Sequence, residues 1–131
     1  MDFGGKNLFD KDNANILNNI YIGSSALGVS SGGKTLYIEC QPNTTYTVSK
    51  IKSARFSICS TDVTPAQTVA ISNRHQDNNA TSLQITTGST SKYLCVFYYL
   101  ASADTVTEQS ILDSLQIEKR KCSNRVQSLC I

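Results

Sequence analysis

The sequence predicts one all-β domain, an antiparallel β-sandwich of the jelly-roll type with at most one short helix near residues 105–112. Apolar and polar residues alternate along most of the chain, and a period of two is the repeat of a β-strand that buries one face. The alternating runs are short, and clusters of Ser, Thr and Asn, which are common turn residues, separate them. A length of 131 residues suits a single domain of this kind.

The first elements lie on either side of a turn at residues 41–44. Residues 35–40 and 45–51 both alternate, which predicts a strand, a turn and a strand that together form a first hairpin. Four later runs of β-branched and aromatic residues predict further strands, at 54–59, 68–71, 82–86 and 92–100. The polar clusters between these runs, at 73–79 and 88–91, predict loops.

Two segments depart from the strand pattern. The segment 13–21 is rich in Asn, and because Asn side chains bond to nearby backbone groups, we expect an irregular sheet edge there rather than a helix. Near the end of the domain, Thr105 or Thr107 is a candidate N-cap for one or two helical turns. A final strand is predicted at 114–118.

The strand at 92–100 is apolar on both faces, which predicts a central strand that is covered on each side. One interpretation is a core strand with a second layer over it. The alternative is that Phe97 and Tyr99 form a stacking platform for sugar rings, with Arg55 flanking them. His75, in the loop predicted at 73–79, is either a solvated loop residue or a further ligand contact.

Enzymatic patterns are weak in this sequence. Residues 28–35, Gly-Val-Ser-Ser-Gly-Gly-Lys-Thr, match the phosphate-loop pattern, but an alternating run stopped by Pro42 follows them instead of a helix. We therefore interpret them as a Gly/Ser-rich turn. The single histidine, the scattered carboxylates and the lack of a nucleophile motif predict no catalytic activity.

Charge and cysteine content bear on the partners. Residues 1–118 carry eight basic and ten acidic side chains, whereas residues 119–131 carry four basic side chains and no acid. The basic balance thus comes from the tail, so we expect no nucleic-acid or membrane partner. The five cysteines have no metal-type spacing, and those at 40, 59 and 95 lie in apolar runs, which predicts buried free thiols. The first residues lack the basic and apolar parts of a signal peptide.

Four short segments carry a resemblance to a known family. They are residues 6–11 (Lys-Asn-Leu-Phe-Asp-Lys), 41–49 (Gln-Pro-Asn-Thr-Thr-Tyr-Thr-Val-Ser), 92–94 (Lys-Tyr-Leu) and 115–119 (Leu-Gln-Ile-Glu-Lys). Their order resembles the carbohydrate-binding-like, galactose-binding-like jelly-roll domains of bacteriophage and prophage tail, baseplate and tail-fibre proteins, over roughly residues 5–119. The shared segments lie in turns and core strands, so the resemblance assigns no binding residue.

The resemblance implies a virion component, made in the bacterial cytoplasm from a prophage or carried on a phage tail. It implies binding of a host-surface glycan and contact with other tail or baseplate subunits, or else an architectural or oligomerisation module with no ligand of its own. No cofactor is expected. A structural calcium near the termini, with Asn7, Asp10 or Glu118 as ligands, is the one metal site that the resemblance suggests.

The chain departs from the family after its last predicted strand. We expect a single sandwich domain at 1–118 and an atypical basic tail at 119–131. For one choice of codons from Glu118 onward, deletion of a single A gives Glu-Lys-Gly-Asn-Val-Ala-Thr-Glu-Tyr-Lys-Ala-Phe-Ala, the ending that such domains usually have. We therefore hypothesise that the tail is derived from a frameshift, and codons in the gene that are incompatible with that second frame would refute it.

Overall fold

The computed structural model describes residues 7–99 and 106–119, which form a two-layer antiparallel sandwich. The first sheet has the strand order β1-β2-β7-β4-β5 and the second the order β6-β3-β8, which confirms the predicted fold class. The strands are β1 (Asn15–Ile22), β2 (Leu27–Glu39), β3 (Thr45–Ser49), β4 (Phe56–Thr61), β5 (Ser72–Gln76), β6 (Ser82–Thr86), β7 (Tyr93–Tyr99) and β8 (Gln116–Lys119). A 3₁₀ turn at Lys11–Asn13 precedes β1, and one short helix, α1 (Glu108–Ser114), precedes β8.

The main core lies between the two sheets. Alternate residues of β2, β4 and β7 point inward and meet the apolar residues of the second sheet and of α1. We call this side of the five-stranded sheet its inner face. Its fully buried side chains include Leu36, Phe56, Ile58, Val96 and Tyr98.

The opposite, outer face of the five-stranded sheet is partly covered by a second, smaller core. The far end of the β1–β2 hairpin, residues 20–29, folds over this face, so that Ile22 and Leu27 pack on Cys59, Cys95 and Phe97. We call residues 20–29 the hairpin cap. Backbone hydrogen bonds with residues 66–71 hold the cap in place, among them the bond from the Leu27 N–H to the Val69 carbonyl at 2.9 Å.

The cap explains why β7 is apolar on both sides. Residues 94, 96 and 98 face the inner core, whereas residues 95 and 97 face the cap. The predicted central strand is confirmed, because β7 lies between β2 and β4 and its residues 94–98 are all buried. Of the two interpretations of this strand, a core strand with a second layer over it therefore describes Phe97, because the hairpin cap covers its side chain.

Two early predictions are wrong in topology. The strands β2 and β3 do not form a hairpin, since β2 belongs to the five-stranded sheet and β3 to the three-stranded sheet, and the turn at 41–44 carries the chain from one layer to the other. Residues 28–35 are not a turn but lie within β2. The register shift between Asn18 and Ile20 places four residues of β2, 30–33, opposite Asn19 alone, which absorbs the extra length. No helix follows, so the geometry of a phosphate-binding loop is not formed there.

The polar segment around His75 was predicted as a loop and forms a strand instead. β5 (Ser72–Gln76) is exposed at all five positions and is the edge of its sheet, which is why its sequence shows no apolar alternation. Asn73 adopts a left-handed backbone (φ 58°) at the irregularity in the β4–β5 pairing. Residues 68–71, predicted as a strand, form only an isolated bridge between Ala70 and Ala26.

The remaining local predictions are confirmed apart from shifts at the ends. The segment 13–21 is an irregular edge strand, since β1 contains a register shift and Asn19 has a φ of 62°. Thr107 caps α1, accepting a hydrogen bond from the Ser110 N–H at 3.1 Å. Residues 1–6, 100–105 and 120–131 are outside the described part of the chain. The other candidate cap, Thr105, the end of the strand predicted at 92–100 and nearly all of the basic tail therefore lie outside it as well.

The beginning and the end of the described sandwich are joined by the side chain of Asn7. Its Oδ1 accepts from the N–H groups of Phe9 (3.0 Å) and Ile117 (2.9 Å), and its Nδ2 donates to the Leu115 carbonyl at 3.0 Å. The Leu8 N–H donates to the Ile117 carbonyl at 2.7 Å. Two of the segments that carry the family resemblance, 6–11 and 115–119, are thus bonded directly to each other.

Candidate functional site

The structure brings two of the four predicted site residues, Tyr99 and Arg55, together on the outer face of the five-stranded sheet. Tyr99 is the last residue of β7 and is half-buried, and Arg55, which directly precedes β4, is exposed. The centre of the Arg55 guanidinium lies 5.8 Å from the centroid of the Tyr99 ring. This distance is within the range of a cation–π contact, which restrains both side chains without burying the charge.

Phe97, the third predicted residue, faces the same side but is covered. Its side chain is only 5% exposed, and its ring meets that of Tyr21 edge to face, with centroids 6.4 Å apart. The backbone of Gly33 lies directly against it, since a Cβ at Gly33 would be 2.9 Å from Phe97 Cε1. Phe97 therefore supports the surface from below and offers little area to a ligand.

His75, the fourth predicted residue, lies on the opposite side of the sheet. It pairs with Ile58, whose side chain belongs to the inner core, and directly paired residues of an antiparallel ladder point to the same face. Gln76 pairs with Ser57 and so points to the outer face. The Arg74 guanidinium donates to the Gln76 side-chain oxygen, which places Arg74 on that face as well.

Gln76 and Arg74 thus lie on the same face of the sheet as Tyr99 and Arg55. We refer to these four residues as the Arg55–Tyr99 patch. Its polar members on β5 were missed by sequence reasoning, because a loop prediction for 73–79 carries no information about which side chains share a face. The patch combines one partly exposed aromatic ring with two guanidinium groups and an amide, which are donors suited to hydroxyl and carboxylate oxygens.

The three cysteines of the described residues are free thiols with little or no exposure to solvent. Cys59 and Cys95 are paired across β4 and β7, both are fully buried, and both are free thiols. A hydrogen bond with the Cys59 thiol, together with burial, raises the pKa of Cys95. Cys40 is half-buried, and burial raises its pKa to about 11. The raised pKa values keep the Cys40 and Cys95 thiols protonated near neutral pH, which is the opposite of an activated nucleophile.

Two of the three residues suggested as calcium ligands, Asn7 and Asp10, use their oxygens in hydrogen bonds, whereas Glu118 lies in β8 opposite Thr47. The Asn7 side-chain oxygen accepts hydrogen bonds from the N–H groups of Phe9 and Ile117, and the second of these joins the two ends of the described sandwich. The Asp10 carboxylate accepts from the Asp12 N–H at 3.0 Å and from Asn13 Nδ2 at 2.8 Å, and so caps the 3₁₀ turn. Within residues 7–99 and 106–119, no group of three or more His, Cys, Asp or Glu side chains is arranged to hold a metal ion.

Comparison with known proteins adds no assignment. No family model, no curated protein and no solved structure matches this chain. Over the described residues, no helix has the length and apolar character needed to cross a membrane.

Proposed function

We propose that this domain is a non-catalytic carbohydrate-binding module of a phage or prophage tail-associated protein, and that the Arg55–Tyr99 patch binds saccharides of the bacterial surface. The observation that carries the proposal is the guanidinium of Arg55 over the ring of Tyr99, 5.8 Å from its centroid. Aromatic faces bind the C–H faces of sugars, and a guanidinium supplies up to five N–H donors for sugar oxygens. Both features lie together on the outer face of the five-stranded sheet.

The scaffold supports this proposal because it is rigid where the patch requires it. β7 is hydrogen-bonded to β2 on one side and to β4 on the other, and Phe97, two residues before Tyr99, packs beneath the cap. A site on paired strands loses little conformational entropy when it binds a ligand. The Arg55 contact has the same effect, since it holds the Tyr99 side chain before any ligand arrives.

A glycan-array screen of the purified full chain against bacterial surface polysaccharides tests the proposal. We expect binding that Tyr99→Ala and Arg55→Ala each weaken by at least about tenfold, which corresponds to about 1.4 kcal/mol. Tyr99→Phe keeps the ring and is expected to keep most of the binding. Lys92→Ala removes a comparable exposed charge near the other end of β7 and is the matched control.

The opposite result favours the architectural alternative. If the folded protein binds no glycan on the array, or if Tyr99→Ala binds as well as the unchanged chain, the patch is not a saccharide site. A stable trimer in analytical ultracentrifugation, combined with silence on the array, would then indicate an assembly module of the tail.

A further inference from the structure

A second concave site lies at the edge of the five-stranded sheet, well separated from the Arg55–Tyr99 patch. It is a cleft of about 370 Å³ between the segment before β1 and the end of β2. This volume falls in the lower part of the range of small-molecule sites, about 300–1,000 Å³. Tyr37, which lines the cleft, packs on Tyr93, and Tyr93 is six residues from Tyr99 along β7, a span of roughly 20 Å.

The cleft exists because β2 continues past the point where β1 begins. The pairing of the two strands starts at Asn15 opposite Tyr37 and leaves the edge of β2 open beyond it. Cys40 donates its N–H to the Lys92 carbonyl on the β7 side, at 2.9 Å. The alternation of an antiparallel ladder therefore directs the main-chain N–H and C=O of Glu39 to the open side. A backbone donor and a backbone acceptor thus stand beside the Glu39 carboxylate.

Tyr37, one of the residues that line the cleft, has a ring whose orientation is restrained by Tyr93. The rings of Tyr37 and Tyr93 meet edge to face, with centroids 5.7 Å apart and planes at 82°. This packing limits the tilt of the ring of Tyr37, which is one of the lining residues of the cleft. Leu8, 39% exposed, and Ile38 add apolar surface close to it.

The remaining walls are polar and acidic. Asp10, Asn13, Asn15 and Glu39 are among its lining residues. The Asp10 carboxylate already accepts from the Asp12 N–H and from Asn13 Nδ2, and each of its two oxygens keeps one further acceptor position. The side-chain hydrogen bond from Asn13 is the largest of the effects that lower the pKa of Asp10, so this carboxylate is an acceptor at neutral pH. No basic side chain is among the described residues that line the cleft.

We propose that this cleft is a second carbohydrate subsite, which takes one neutral hexopyranose unit and rejects sugars that carry a carboxylate. The Tyr37 ring contacts a C–H face of the sugar, the two carboxylates accept from its hydroxyl groups, and the main chain of Glu39 adds one donor and one acceptor. A uronic acid is disfavoured because its charge would face two carboxylates, and none of the described residues that line the cleft is basic. The choice of a carbohydrate as the ligand rests on the proposed function, but none of the residues that line the cleft belongs to the Arg55–Tyr99 patch.

Titration of the ¹⁵N-labelled full chain, followed by NMR, tests the inference. The ligands are the methyl hexopyranosides of glucose, galactose and mannose, with glucuronate as the charged comparison. We expect at least one hexopyranoside to give saturable shifts at the amides of Asn15, Tyr37 and Glu39, and glucuronate to give none there. Glu39→Gln and Asp10→Asn are each expected to weaken that binding by about threefold to fivefold. Asn is as good a cap as Asp, so Asp10→Asn keeps the 3₁₀ turn.

The control is Glu118→Gln, which removes a carboxylate on the other sheet and is expected to leave the binding unchanged. Absence of shifts at the three cleft amides with all three hexopyranosides overturns the inference, as does glucuronate binding there equally well. The two proposals fail separately: shifts near Tyr99 alone refute the cleft, whereas shifts at the cleft alone refute the patch and leave the cleft standing.

Discussion

The side chain of Asn7 is the clearest place to test how this sandwich is closed. Asn7→Ala removes three hydrogen bonds, two accepted from the N–H groups of Phe9 and Ile117 and one donated to the Leu115 carbonyl. A typical hydrogen bond contributes about 0.5–1.5 kcal/mol to stability, so the three together give about 1.5–4.5 kcal/mol. Asn7 is an exposed residue, and water replaces part of what is lost. We therefore expect a loss of about 1–3 kcal/mol.

Urea unfolding measured by circular dichroism gives this quantity directly, and for a chain of this length the melting temperature falls by about 4 °C per kcal/mol. Asn7→Asp keeps the oxygen that accepts from Phe9 and Ile117 but loses the N–H that donates to the Leu115 carbonyl. It also places a negative charge next to that carbonyl oxygen. We therefore expect Asn7→Asp to lower the free energy of unfolding by about as much as Asn7→Ala. Asn15→Ala, on the β1 edge, is the matched control. If Asn7→Ala costs no more than Asn15→Ala, the three bonds do not hold the ends together and the reasoning is wrong.

Three further predictions concern the core and the thiols. Gly33→Ala is expected to destabilise the fold by about 1–3 kcal/mol in urea unfolding, because the new Cβ would lie 2.9 Å from Cε1 of Phe97. Tyr98→Phe is expected to cost about 1–2 kcal/mol in the same assay, since it removes the 2.9 Å bond from the buried hydroxyl to Glu108 on α1. Alkylation of Cys40, measured by peptide mass spectrometry, is expected to be slow at neutral pH and to speed up as the pH rises toward its pKa of about 11.

Each of these has its own control. Gly88→Ala places a Cβ no closer than 3.4 Å to Ser91 Oγ and is expected to be tolerated, so equal losses at both glycines would contradict the steric account. Glu108→Gln keeps an acceptor for Tyr98 and is expected to cost less than Tyr98→Phe. Rapid alkylation of Cys40 at neutral pH, in protein that is folded, would show that burial does not protect its thiol.

The fold class could be predicted because the two-residue period is strong in the strands that form the core. In β7 the alternation identified both faces, and the inner set of residues 94, 96 and 98 is the one that packs against the second sheet. In β5 the same reasoning failed. An edge strand exposed at all five positions has no buried face, so its sequence resembles that of a loop.

The candidate site was predicted only in part, for a related reason. The alternation placed Tyr99 and Phe97 on one face of the sheet, but the hairpin cap determines which of the two rings is exposed to solvent. The cap is held by contacts such as the one between Leu27 and Val69, 42 residues apart in the sequence, and no local pattern encodes that distance. The sequence therefore identified both rings, but it could not distinguish Tyr99, which remains partly accessible, from Phe97, which is covered.

The bonds that Asn7 makes also determine how the domain can be attached to other polypeptide. Since the Leu8 N–H reaches the Ile117 carbonyl at 2.7 Å, the chain enters and leaves the described sandwich at neighbouring points. A domain with adjacent entry and exit can be inserted into a surface loop of a host protein without separating the two ends of that loop. A carrier that held the sandwich in this way would contact it at one place only, where Leu8 and Ile117 lie side by side.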